Sequence, residues 1–248
     1  MNTLELKANN KILKSKPIPS TWDELTFLQL KKILSQNLSK WQIFFVLLNL
    51  KWHQFRFMYL LRRIDKEDLY LINKFSLWVS DSERHITKQF LPSFWIRFRK
   101  FKGKENFGKL TFWEFVQADT FYTRYMQKQE KEHLLNFLNV LYPSKLKNSK
   151  KLLSKLSPLY ANIVLLWFSG NKVNLTKKYK HVFPKEDREQ NSNYTNFAWI
   201  GVIKSLSTGL TDMKKVGEQP VHTALNYLNI EILHNKEREA EQKRNSKK

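Results

Sequence analysis

The amino-acid sequence predicts a mainly α protein, a bundle of about eight or nine helices with a small β-hairpin near residues 97–112. Three observations predict it. Glycine and proline are scarce, at 6 and 7 in 248 residues, whereas an all-β sandwich or barrel needs a turn every ~8–12 residues and draws on both. Apolar residues recur at helical spacing in window after window. The chain also holds 18 Phe, 9 Tyr and 8 Trp, ample material for a core, where a disordered chain would be poor in aromatics.

Residues 1–20 read as an extended N-terminal lead-in. Thr3-Leu4-Glu5-Leu6-Lys7 alternates like a short strand, Asn9-Asn10 signals a turn, and Pro17 and Pro19 delay any helix. Thr21-Trp22-Asp23-Glu24 has capping-box spacing, and Leu25 and Leu28 follow, so a helix is expected from Thr21 to about Gln36. Ser39–Leu50, His53–Arg63 and Lys66–Val79 repeat the pattern with short breaks, as helical hairpins do. Arg97–Lys102 is close to alternating and Lys109–Phe112 follows, with Gly103 and Gly108 bracketing a turn between two strands.

Helix returns at Thr111–Lys128, opened by a second capping box, Thr111-Phe112-Trp113-Glu114, and continues at Lys131–Leu141 until Pro143. Ser144–Lys155 is lysine-dense and reads as a linker or loop. Leu156–Phe168 reads as a buried helix ended by Gly170, and 171–193 as polar and irregular. Helices Thr195–Ser207 and Pro220–His234 close the fold. A single helical domain over 21–234 is therefore expected, with a subdivision near 144–155 compatible with it and a charged flexible tail over 235–248.

Composition also limits function. With no cysteine there is no disulfide framework, thiolate chemistry or cysteine-containing zinc site. The six histidines lack metal-ligand spacing, and no G-x-x-x-x-G-K-[ST], G-x-G-x-x-G or G-x-S-x-G occurs. The paired acids Asp23/Glu24 and Glu67/Asp68 fall at helix starts, where they offset the macrodipole. No enzyme, metal or cofactor is expected. The N-terminus has no apolar signal segment, and the longest apolar stretches, Trp41–Trp52 and Leu159–Phe168, fall short of the ~20 residues of a membrane span. A soluble protein of the cytoplasm, without membrane contact, is the expectation.

Net charge is +22, from 44 basic and 22 acidic side chains. That excess attracts polyanions, although an AT-biased genome also enriches lysine. Arg97, Phe98, Arg99, Phe101 and Lys102 suggest a strand platform for stacked nucleotides; an amphipathic hairpin with aromatics inward explains the same alternation. In Pro220–His234, Leu225, Leu228 and Ile232 share one side. They suit either a partner helix or packing on their own domain.

Several local patterns occur in order: Ile18-Pro19-Ser20-Thr21-Trp22-Asp23-Glu24-Leu25-Thr26; Leu110-Thr111-Phe112-Trp113-Glu114-Phe115-Val116-Gln117-Ala118-Asp119, leading through Tyr122 and Tyr125 to Leu138-Asn139-Val140-Leu141-Tyr142; Phe197-Ala198-Trp199-Ile200-Gly201-Val202-Ile203; and Val221–Leu228. In these the chain resembles phage and prophage proteins of Bacteroidetes-type hosts, similar to the tail assembly chaperones encoded beside the tape measure protein. The resemblance implies a non-enzymatic morphogenesis protein of the host cytoplasm. Its partner would be a phage structural protein, the long helical tape measure or the tail tube. That role needs exposed apolar grooves on a helical body. The basic charge departs from the pattern and keeps open a second reading, a basic nucleic-acid-binding or packaged structural virion protein.

Overall fold

The computed structural model describes residues 2–8, 11–49, 78–79, 84–104, 106–183, 199, 203–204 and 210–246. Among them are eight α-helices and two antiparallel hairpins, so the mainly helical class is borne out. The chain divides into two compact units, Met1–Phe90 and Leu91–Lys248, where the sequence suggests one domain over 21–234. The boundary carries no glycine- or proline-rich linker that would have advertised it. The expected helices His53–Arg63 and Lys66–Val79 lie outside the described residues, apart from Trp78 and Val79.

The first unit opens with a hairpin rather than a single strand. β1 (Asn2–Ala8) pairs antiparallel with β2 (Lys11–Ile18), from Asn2↔Ile18 to Ala8↔Lys11. Helix does not begin at Thr21. Trp22–Glu24 makes one 3-10 turn, and Thr21 gives no side-chain cap. The acids expected to serve that cap are engaged elsewhere: Asp23 accepts from the Thr87 hydroxyl and from the Thr87 and Lys88 amides (2.7 and 2.9 Å), and Glu24 accepts from the Ser20 amide at 2.7 Å.

The α-helix starts at the next match to the same motif, with Thr26 and Gln29 as a complete capping box of α1 (Phe27–Ser35). Gln29 is buried and serves two ends at once. Its Oε1 accepts from the Thr26 amide at 2.8 Å. Its Nε2 donates to the Val46 and Leu47 carbonyls at 3.1 and 2.8 Å, which finishes α2 (Lys40–Leu47). α2 has its own box, Ser39 with Gln42.

The second unit begins with β3 (Ser93–Ile96) and β4 (Arg99–Lys102), paired Phe94↔Phe101 and Ile96↔Arg99. The hairpin turn is therefore Arg97-Phe98, upstream of the glycine-bracketed turn suggested by the sequence. Gly103 has another reason to be glycine: a Cβ there would sit 2.7 Å from the Tyr142 ring. A 3-10 turn (Phe107–Lys109) leads into α3 (Phe112–Lys128), capped by Thr111 and Glu114 as expected, then α4 (Lys131–Leu141).

The lysine-dense segment is not a plain loop. It holds α5 (Ser149–Leu153), anchored by buried Leu153 and by the Ser149 hydroxyl donating to Asn139 Oδ1 at 2.8 Å. α6 runs from Pro158 to Lys178, through a buried Gly170 that was expected to end it. A mid-helix glycine costs ~1 kcal/mol relative to alanine. Burial of Leu175 and Tyr179 beyond it outweighs that. α7 (Leu210–Glu218), unforeseen, precedes α8 (Val221–Asn245). α8 extends through most of the segment expected to be a flexible tail, because Glu, Lys, Arg, Gln and Ala there are strong helix formers. The helix expected over Thr195–Ser207 lies outside the described residues except for Trp199, Ile203 and Lys204.

The core of this unit is aromatic. Phe168 lies 5.2–6.3 Å, centroid to centroid, from Phe107, Phe115, Tyr122 and Phe137. Asp119 is 3% exposed at its edge, 2.6 Å from the Lys172 ammonium and accepting from Trp199 Nε1 at 3.2 Å. α3 and α8 start side by side: the Phe112 amide donates to Gln219 O at 2.8 Å and the Val221 amide to Leu110 O at 2.9 Å.

Candidate functional site: a basic cleft and an apolar groove

Cations gather where the hairpin meets α5. Arg97 and Arg99 from the hairpin, and Lys147, Lys151 and Lys155 from the segment around α5, line a cleft of about 340 Å3 with Leu146. Lys151 lies in α5 while Lys147 and Lys155 flank it in turns, and the three, spaced four residues apart in the sequence, all reach the cleft. That spacing is the signal a linker reading overlooks. Among the described residues no carboxylate lines the cleft and none of the five cations is ion-paired. Elsewhere in the unit the cations Lys104 and Lys172 do face acids, Glu114 at 3.3 Å and Asp119. Partial withdrawal from water, then the charges of Arg97 and Lys151, hold the Lys155 ammonium below the usual lysine range. Five unneutralised cations around one hollow repel each other unless an anion sits among them.

The turn that delivers Arg97 is itself unusual. Both central residues have positive φ, 45° at Arg97 and 63° at Phe98. A two-residue hairpin with that backbone prefers Asn-Gly or Gly-Gly. Each non-glycine side chain in the left-handed region costs roughly 1–2 kcal/mol, and such strain concentrates at functional sites. Here it carries an Arg, aimed at the cleft, and a Phe that is 97% exposed.

The sequence-selected residues divide accordingly. Arg97 and Arg99 come together in the cleft, and Phe98 stands exposed on the turn between them. Lys102 lies with Lys100 on the opposite face of the hairpin, beside Trp95, itself 67% exposed. Phe101 must be withdrawn as a contact residue: it is 1% exposed and stacks on Phe94 with centroids 5.6 Å apart. Leu225 and Leu228 are likewise buried in their own unit and Ile232 is half-buried, so this stripe packs inward at its first two positions. The exposed apolar residues of α8 are instead Tyr227, Ile230 and Leu233.

A second hollow, of about 240 Å3, lies where α4, α5 and α6 converge. Leu134, Leu135, Leu153, Leu156, Pro158 and Ala161 give it a mainly apolar wall. Sequence reasoning placed nothing there, since its residues come from two stretches, 125–138 and 153–161, that only the fold brings together.

Among the described residues, no group of His, Asp or Glu is placed to hold a metal ion, and no helix is long and apolar enough to cross a membrane. No protein family, curated protein or solved structure matches this chain.

Proposed function

We propose that this chain is a non-enzymatic phage morphogenesis protein, a tail assembly chaperone that holds a long helical partner of the tape-measure kind. The apolar groove at α4, α5 and α6 is the observation that carries this reading. It is an open hollow walled by side chains of a helical body, the feature such a chaperone needs to cover the apolar stripe of a helix. The residues behind the resemblance support it differently. Phe112, Phe115, Val116, Leu138, Leu141, Tyr142, Val221 and Leu225 are all buried, and Thr111 and Glu114 cap α3. They specify a fold, not a reaction.

A second reading, binding of nucleic acid, is favoured by the basic cleft. If all five cations meet phosphates of a single strand, affinity falls with salt at a log–log slope of about −3.5.

One experiment separates the two. Tagged protein is captured from phage-infected cells with and without nuclease and its companions are identified by mass spectrometry. A long helical phage protein that survives nuclease, and is lost with Leu134→Asp in the groove, supports the chaperone. Nucleic acid and nuclease-sensitive companions alone overturn it in favour of the second reading.

A further inference from the structure

We infer that the basic cleft takes single-stranded nucleic acid, its phosphates among Arg97, Arg99, Lys147, Lys151 and Lys155 and a base stacked on Phe98; this rests on the nucleic-acid reading of the cleft.

Three independent observations converge on it. The first is charge: among the described residues five cations and no carboxylate line the hollow, which selects a ligand carrying several negative charges in a row. The second is an exposed aromatic ring flanked by two lining residues, Arg97 and Arg99. Phe98 is 97% exposed, between two of those arginines in sequence, and contributes nothing to the core. An aromatic face in water beside a phosphate-binding groove is the pairing by which proteins hold unpaired strands, because every base has a π-face to stack. The third is the backbone. Arg97 and Phe98 occupy a turn that glycine would adopt without strain, so this conformation is held against local preference at the very residues that would touch the ligand.

The same features argue against the other anions. In a duplex the bases are stacked on each other and offer no face to Phe98, while a β-ribbon that reads duplex grooves does so with polar side chains on base edges. The exposed residues of this hairpin are aromatic and cationic. An acidic peptide satisfies the charge and leaves the ring without a partner.

The test uses the full-length protein and fluorescence anisotropy. The probes are a labelled single-stranded oligonucleotide, the same sequence as a duplex, inorganic polyphosphate as a competitor and a poly-glutamate peptide. The single strand is expected to bind at least tenfold more tightly than the duplex. Phe98→Ala and Phe98→Leu should each weaken single-strand binding roughly 5- to 150-fold with the salt slope unchanged, and Phe98→Tyr should restore it. Lys151→Ala should reduce the slope by about 0.7.

Equal affinity for duplex and single strand, with Phe98→Leu as good as wild type, overturns the single-strand inference and leaves the nucleic-acid reading standing. Poly-glutamate binding as tightly as any oligonucleotide, or no binding of nucleic acid even at low salt, overturns both. Because Phe98 is almost wholly exposed, its variants should fold, and circular dichroism checks this.

Discussion

Replacing Arg97-Phe98 by Asn-Gly is expected to stabilise the protein while impairing anion binding. Both residues sit in the left-handed region, at φ 45° and 63°, at roughly 1–2 kcal/mol each. Asn tolerates that conformation and Gly adopts it freely. Against the gain stands ~0.5–1 kcal/mol for the added freedom of glycine in the unfolded chain. Phe98 is 97% exposed, so its removal forfeits almost no burial.

The net is about 1–3 kcal/mol of stabilisation. At ~2–4 °C per kcal/mol for 150–250 residues, Tm should rise by roughly 2–12 °C. Thermal and urea unfolding followed by circular dichroism give the stability, and anisotropy titration with a single-stranded oligonucleotide gives the binding. A Tm that falls or stays level would refute the strain assigned to the turn. Binding undiminished in the more stable variant would show that the side chains of the turn are not the reason it is kept.

Four further outcomes follow from the second unit. Burial, and then the nearby Lys178 charge, depress the pKa of His222 below its ordinary 6.5. The unfolded state therefore takes up a proton first, and stability is lost as pH falls from about 7 through the depressed value; His222→Gln should flatten that loss in urea titrations between pH 7 and 5. Gly103→Ala drives a methyl into the buried Tyr142 ring, and Tyr142→Phe orphans the Leu91 carbonyl that now accepts its hydroxyl at 2.7 Å; about 1–3 kcal/mol and ~1–2 kcal/mol should be lost, and a loss below 0.5 kcal/mol in either would contradict these contacts. Lys172→Met leaves the buried Asp119 carboxylate with Trp199 alone and should cost ~2–4 kcal/mol; a double-mutant cycle with Asp119→Asn measures the coupling, and a value near zero would sink the pair.

How much of this was legible depended on the range of the signal. Local chemistry could be read: the Thr111–Glu114 box caps α3, and Lys131–Leu141 appears with the bounds its periodicity indicates. Where two local signals competed, tertiary contacts chose. Thr21-x-x-Glu24 and Thr26-x-x-Gln29 match the same motif; in the first, Glu24 is taken by the Ser20 amide and Asp23 beside it by Thr87 and Lys88, far along the chain, and the second caps the helix. Gly170 fails as a stop because of what packs beyond it. The basic cleft was half visible. Arg97, Arg99 and the lysines of 145–155 were both conspicuous, but only the hairpin register decides that Arg97 and Arg99 join those lysines while Lys102 faces away. The apolar groove was not visible at all, because its two lining stretches, 125–138 and 153–161, meet only in the folded packing of the helices.

The stitch between Leu110 and Val221 has a consequence for biosynthesis. It closes a loop of about 110 residues, whose entropy of closure is near 4 kcal/mol by (3/2)RT ln n. A ribosome adding ~5–20 residues per second needs roughly 6–22 s to deliver Val221 after Leu110 has been made. Throughout that interval the Phe112 amide lacks its Gln219 acceptor and the Leu110 carbonyl its Val221 donor, so the second unit is a nascent chain without the junction of α3 and α8. Its most vulnerable moment therefore falls before release, and slowing translation between these two points should raise aggregation more than slowing it anywhere downstream.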